Sequence, residues 1–306
     1  MAKYTENQFN NWRKPPSDTE EQRLETTERR IREAIQKSEE LKEYEIDVFG
    51  QGSYANDTNV KLESDVDINV CSTAYFYTDY GTEGLSDKTF GYTEGNHTYS
   101  DFKEKVRKAL VAEFGDDNVK DKNKCFSVVE NSNRVKADVV PTFELRRHDD
   151  ATPSHVIKGV RYYAKDGTEV TNYPKQHIEN GKWKNARTQK RFKRLVRIFK
   201  KIRYKMIEDR VQINSHITSF LLECLVWNVP EEVFNGYDTW TDRLKEAIRH
   251  IYNHTKTDDQ CKEWGEVSEY LYLFRGSRKW SREDAHKFID LSSSNFLLKS
   301  SIMFEF

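Results

Sequence analysis

Apolar residues recur along the chain with two different periods, and the change from one to the other near residue 180 divides it. In the first part the runs are short and alternate: residues 45–49, a stretch through Val66, Ile68 and Val70, then 125–130, 134–140, 160–164 and 169–171. Alternation lays one face of a strand on a core and turns the other away from it. Asn131-Ser132-Asn133 and Lys165-Asp166-Gly167 read as hairpin turns between such strands. Two helices are predicted among them. Ser17 to Glu20 has the form of a capping box and opens a long helix over about 18–41. Leu24, Ile31, Ala34 and Ile35 are too few apolar residues to do more than brace one side of the fold. Ser100 opens a helix to Phe114, with Phe102, Val106, Ala109 and Leu110 at helical spacing. From Asn185 the period is helical throughout, giving expected helices over 186–209, 215–227, 231–253, 258–274 and from Arg282 to the C-terminus. The class is α/β in the α+β sense: a mixed-sheet lobe with a long bracing helix over 1–180 and a helical lobe over 181–306.

Residues 73–100 fit neither period. Tyr75, Phe76, Tyr77 and Tyr80 are followed by Gly81, Gly84, Gly91 and Gly95, which reads as a long loop, either a flap beside a cleft or a disordered insertion.

Composition narrows the class. The chain has 306 residues and a net charge of −1 with 33% charged residues, which argues against a protein that coats nucleic acid. No apolar run approaches a membrane span and the N-terminal residues carry no signal-peptide core, so a cytoplasmic protein is expected. Cys71, Cys125, Cys224 and Cys261 are scattered without Cys-x-x-Cys spacing and read as buried small hydrophobes.

Candidate chemistry concentrates between Val48 and Cys71. Gly50, Gly52 and Ser53 form a turn after a strand, where outward backbone N–H groups suit a triphosphate. Asp65 and Asp67 stand two apart in the next strand, so both carboxylates share one face. Adjacent carboxylates repel unless a divalent cation lies between them, and Mg2+ with its hard oxygen ligands is the natural choice. Asp138, in the middle of a later apolar strand, is a third carboxylate that would be costly to bury alone. Residues 182–205 interleave basic residues with Phe192, Leu195, Val196, Ile198, Phe199 and Ile202. The basic positions form either a solvated face or inward contacts to phosphate.

The Gly-Ser turn, the Asp-x-Asp strand and the later Asp together resemble the DNA polymerase β-like nucleotidyltransferases. With the helical second half, they resemble the cGAS/DncV-like nucleotidyltransferases of bacterial anti-phage signalling. Further segments look like the clade E branch: Phe9-x-x-Trp12-x-x-Pro15-Pro16; Asn172 to His177 with Asn180, Gly181, Lys184, Asn185 and Thr188; Ser219 to Pro230; and Leu273-Phe274-Arg275 with Trp280. The resemblance implies two lobes with nucleotides bound between them, and the joining of triphosphates, UTP and ATP foremost, into a cyclic di- or trinucleotide. It implies two Mg2+, or Mn2+, held by Asp65, Asp67 and Asp138, with Asp138 nearest the attacking hydroxyl. Gly52, Ser53 and nearby amides would hold phosphates, and Lys200 and Ser219 would clamp the triphosphate, with Arg197 as a substitute for Lys200. Asn185 would read a uracil edge, or else cap the helix starting at Ala186. Expected partners are the triphosphates and a downstream cyclic-nucleotide effector, with no membrane, no nucleic-acid substrate and a monomeric state. The competing readings are a template-independent RNA-tailing or tRNA-modifying nucleotidyltransferase and a nucleotide-binding module without catalysis; the latter would be expected to have lost a carboxylate.

Overall fold

The structure is a computed structural model that describes residues 4–60, 65–132, 134–276 and 278–294, with residues 18–20 described by their backbone alone. Among these residues seven strands form one mixed sheet: β1 (Ile46–Gln51), β2 (Val66–Tyr80), β3 (Val119–Asp121), β4 (Phe126–Val128), β5 (Ala137–His148), β6 (Val156–Tyr163) and β7 (Glu169–Asn172). Their order is β1-β2-β5-β4-β3, and β6 continues from β5 to β7. The β2–β5 pair is parallel; its neighbours β1 and β4 pair antiparallel to it.

The alternating residues do what their period predicts. Val66, Ile68 and Val70 of β2, with Ala137 and Val139 of β5, are all fully buried. They share a core with Leu24, Ile31 and Ile35 of α2 (Asp18–Lys37) and with Phe102, Val106 and Leu110 of α5 (Tyr99–Phe114). Each such aliphatic contributes about 1.5–3 kcal/mol relative to exposure. The long helix ends at Lys37 rather than Leu41, and a 3-10 turn over Glu39–Tyr44 leads into β1. Thr98 rather than Ser100 caps α5, accepting from the Asp101 amide.

Residues 73–100 correct the expectation of a long loop. β2 runs on to Tyr80, paired with β5 as far as His148 after an irregularity between Ser72 and Phe76. Tyr75 and Tyr77 pack against the same core as the aliphatics. Aromatics suit a half-buried strand, and the glycines punctuate only the segment beyond its end, around the short α4 (Asp87–Phe90). The turn expected at Asn131–Asn133 includes residue 133, which lies outside the described residues.

Two compact units emerge, one of Ser17–Ala55 with Glu63–Lys175, the other of Met1–Pro16, Asn56–Leu62 and Gln176–Phe306. The division therefore departs from 1–180 and 181–306. The N-terminal segment joins the helices because Phe9 in α1 (Glu6–Trp12) is buried in their core, and Glu6 accepts from the amides of Trp240 and Thr241.

The helical unit contains α6 (Pro174–Arg187), α7 (Arg191–Glu208), α8 (Ser219–Trp227), α9 (Glu231–Asn235), α10 (Trp240–His254), α11 (Asp258–Cys261) and α12 (Arg282–Ser292). Three predicted helices are thus corrected. The helix expected over 186–209 is interrupted where Gln189 and Lys190 take left-handed backbones, φ 52° and 64°. The one over 231–253 breaks after Asn235, where the buried Arg243 guanidinium donates to the carbonyls of Phe234 and Tyr237. Beyond Cys261 the stretch to Phe274 is irregular, and residues 295–306 lie outside the described residues. All four cysteines are free and buried. Among the described residues no helix is long and apolar enough to cross a membrane.

A buried charge network holds residues 56–60 to this unit. Glu223 accepts from Thr58 Oγ1 at 2.8 Å and lies 3.1 Å from His177 Nε2. Arg197 donates to the carbonyls of Asp57 and Arg13. Burial pushes the Glu223 carboxyl up, but His177, Lys200 and Thr58 outweigh it and hold it below its ordinary value. A carboxylate so depressed stabilises the fold above the unfolded value and loses that contribution as pH falls through the folded one. Wild-type melting temperature is therefore expected to fall as pH drops below about 4.5, and Glu223→Gln is expected to melt lower at pH 7 with a flatter acid limb. Thermal unfolding across pH 3–7 measures both; an acid limb unchanged by Glu223→Gln would count against the network.

Candidate active site

β1 ends at Gln51, and the chain turns at once into the single helical turn α3 (Gly52–Ala55). Gly52 has φ +68°, and a Cβ there would stand 2.1 Å from Asp67 Oδ2. Only glycine lets the turn lie against that carboxylate. Ser53 follows, half-buried. Gln51 is the register partner of Asp67 across the β1–β2 pair, and Asp67 that of Asp138 across β2–β5. The two carboxylates thus lie side by side on the sheet face away from the α2–α5 layer. Beside them runs a polar row: Asn69 donates to Gln51 Oε1 at 3.2 Å, and Thr142 donates to Asn69 Oδ1 at 2.7 Å.

Asp65 lies just before β2, and its partner in the neighbouring strand line is a cation. Lys136 Nζ pairs with Asp65 Oδ2 and lies 3.8 Å from Asp138 Oδ1. Burial works against the Lys136 charge, yet Asp65 and Asp138 raise its pKa above the ordinary value. The sequence signal for this lysine was available: Lys136 stands two before Asp138, hence on the same face.

The donor set fits a hard divalent cation. Three carboxylates share one face, and Asp138 Oδ1 is buried with no hydrogen-bond partner among the described residues. As they stand, no three ligating side chains among those residues are gathered to hold an ion, and Asp65 is engaged by Lys136.

The helical candidates fare differently. Arg197 is 4% and Lys200 1% exposed. Arg197 is engaged by the Asp57 and Arg13 carbonyls, and Lys200 Nζ lies 3.5 Å from Thr58 Oγ1, inside the Glu223 network. These contacts lie within the helical unit. Ser219 is half-exposed at the first position of α8, whose N-cap is Thr218. Asn185 lies near the end of α6, and its Oδ1 accepts from the Lys193 amide at 3.2 Å. That bond ties α6 to the first turn of α7, whose N-cap position is Lys190, and no helix starts at Ala186, which lies inside α6. The neighbouring Lys184 is also structural: its ammonium donates to the Trp227 and Val229 carbonyls at the end of α8, and burial pushes its pKa down to about 8.

Residues 179–296 match the cGAS/DncV-like nucleotidyltransferase C-terminal helical domain. The cyclic dipyrimidine nucleotide synthase CdnE of Cecembia lonarensis is 50% identical over 95% of this chain and 98% of its own length. The chain belongs to the cGAS/DncV-like nucleotidyltransferases. A second cyclic dipyrimidine nucleotide synthase CdnE, from Legionella pneumophila, is 36% identical over 96% of this chain and 98% of its own. The solved structure of the Rhodothermus marinus CdnE c-UMP-AMP synthase with Apcpp and Upnpp is similar with a TM-score of 0.84 and 28% identity, covering 95% of each chain. The clade E resemblance and the mixed sheet with a helical second half are borne out. This cGAS/DncV-like chain is a nucleotidyltransferase of the cyclic-dinucleotide-synthase kind, and the RNA-tailing alternative is not favoured.

Two substitutions test the geometry. Gly52→Ala forces a Cβ into Asp67 at a positive φ, so a loss of about 1–3 kcal/mol and of nearly all triphosphate turnover is expected, read by chemical denaturation and product formation. Asn185→Ala removes the acceptor of the Lys193 amide and is expected to cost about 1 kcal/mol, with the base composition of the product unchanged by mass spectrometry; a changed product would assign it the base-reading role instead.

Proposed function

We propose that this nucleotidyltransferase condenses two nucleoside triphosphates, at least one of them UTP, into a uridine-containing cyclic dinucleotide, a second messenger read by an effector protein in bacterial anti-phage (CBASS) defence. The observation that carries the chemistry is the register pair Asp67–Asp138, with Gly52 seated against Asp67. A pyrimidine is supported by the two dipyrimidine synthases, and uridine in particular by the c-UMP-AMP synthase, among the relatives.

Asp65, Asp67 and Asp138 would hold two Mg2+, with Mn2+ as a substitute. The bound charge would lower the pKa of the attacking ribose hydroxyl and stabilise the departing pyrophosphate. The chain's own part is placement. The β2–β5 register fixes the Asp67 and Asp138 carboxylates together, and Asp138, whose Oδ1 accepts no hydrogen bond among the described residues, would lie nearest the reacting hydroxyl. Backbone N–H groups of α3 and the Ser53 hydroxyl bind the non-reacting phosphate oxygens.

The test is incubation with each labelled triphosphate alone and with all four together, with Mg2+ and without RNA. A cyclic product containing uridine is expected; an all-purine product, or dependence on RNA, overturns the reading. Asp138→Asn is expected to abolish synthesis while leaving the metal-free melting temperature equal or higher, since carboxylate repulsion is relieved. Ser53→Ala is expected to raise KM more than it lowers kcat, because its contacts are to oxygens that do not react.

A further inference from the structure

The carboxylate face carries one residue that metal binding does not call for. Lys136 precedes β5 by one position, and its carbonyl accepts from the Val66 amide at 3.0 Å. Its backbone is therefore fixed beside Asp65 while its stem stays flexible. Alternation puts its side chain on the face of Asp138, and the β2–β5 register continues outward from the pairs Asp67–Asp138 and Val66–Ala137 to set Lys136 against Asp65. Its ammonium pairs with Asp65 Oδ2 and lies 3.8 Å from Asp138 Oδ1. The side chain is 35% exposed and that of Asp65 46%, so the ammonium has a route to solvent. A lysine stem with four rotatable carbons can swing away from a carboxylate without moving the strand.

We propose that Lys136 is a resident counter-cation of the carboxylate face, which holds Asp65 when no divalent ion is bound and has to release it before Asp65 can become a ligand. The inference rests on reading Asp65, Asp67 and Asp138 as metal ligands. Its consequence is a competition. The lysine relieves repulsion among the carboxylates in the metal-free protein, and by the same charge it raises the concentration of divalent ion needed to fill the site. A lysine that merely supported the strand would do the first and not the second.

The experiment uses the full chain and Mn2+ alone, without nucleotide. Thermal unfolding in EDTA reads the metal-free stability, and titration followed by the paramagnetic resonance of free Mn2+ reads the affinity. Lys136→Met is expected to melt lower than wild type in EDTA and to bind Mn2+ about five-fold or more tightly, a change that removal of one nearby like charge readily supplies. Lys136→Arg keeps the cation and is expected to resemble wild type in both measurements. Asp138→Asn is expected to lose Mn2+ binding. Mn2+ affinity that is unchanged or weaker in Lys136→Met, with Asp138→Asn still losing the ion, overturns the counter-cation and leaves the metal reading standing. Wild-type protein that takes up no Mn2+ overturns both.

Discussion

The parallel pairing of β2 with β5 is the constraint on which the sheet unit depends, because its register sets Asp67 opposite Asp138. Two like charges on neighbouring strands repel by roughly 1–4 kcal/mol at effective dielectrics between those of water and a protein surface. A register slip of one residue would relieve the repulsion. The same slip would turn Val66, Ile68 and Val70 out of the core and Asp67 into it. With each aliphatic contributing about 1.5–3 kcal/mol, the apolar face outweighs the repulsion on the other. The helix layer of α2 and α5 is thus the means by which an unfavourable pair is kept in place.

Most of this is legible in the sequence because it rests on period two. The alternation around Asp67 and Asp138 needs no long-range information to assign faces, and Gly52 before Ser53 signals a turn that tolerates no side chain. Tyr75 to Tyr80 are harder to read. Their strand exists because β5 offers a partner as far as His148, a fact of pairing that a local pattern does not contain. The division into units is hidden for a similar reason: Phe9 lies far from the helical core in sequence and inside it in space.

The helical unit shows the limit of reading charge by residue type. Lys200 and Arg197 sit in a basic run whose composition suits phosphate binding. In the structure both are buried, Arg197 against the Asp57 and Arg13 carbonyls and Lys200 near Thr58, which donates to Glu223. The spacing of basic residues on an amphipathic helix looks the same whether the cation faces a ligand or a buried carboxylate. Asn185 is the same problem in a neutral side chain, since an amide that could read a base is equally suited to a helix N-terminus.

A physical criterion separates the two cases better than residue type does. Desolvating a charge costs several kcal/mol unless it is paired, so a fold that uses a buried charge for its own stability leaves that charge with partners in the structure. Glu223, Arg197 and Lys184 meet that description. Asp138 Oδ1 does not: among the described residues it is the one carboxylate oxygen buried without a hydrogen-bond partner. Its nearest cation, at 3.8 Å, is the ammonium of a lysine engaged with Asp65. An acceptor kept in that state by the longest strand pairing in the sheet is one that a ligand from outside the chain would satisfy, and that supports the proposal of the chemistry at the carboxylate face.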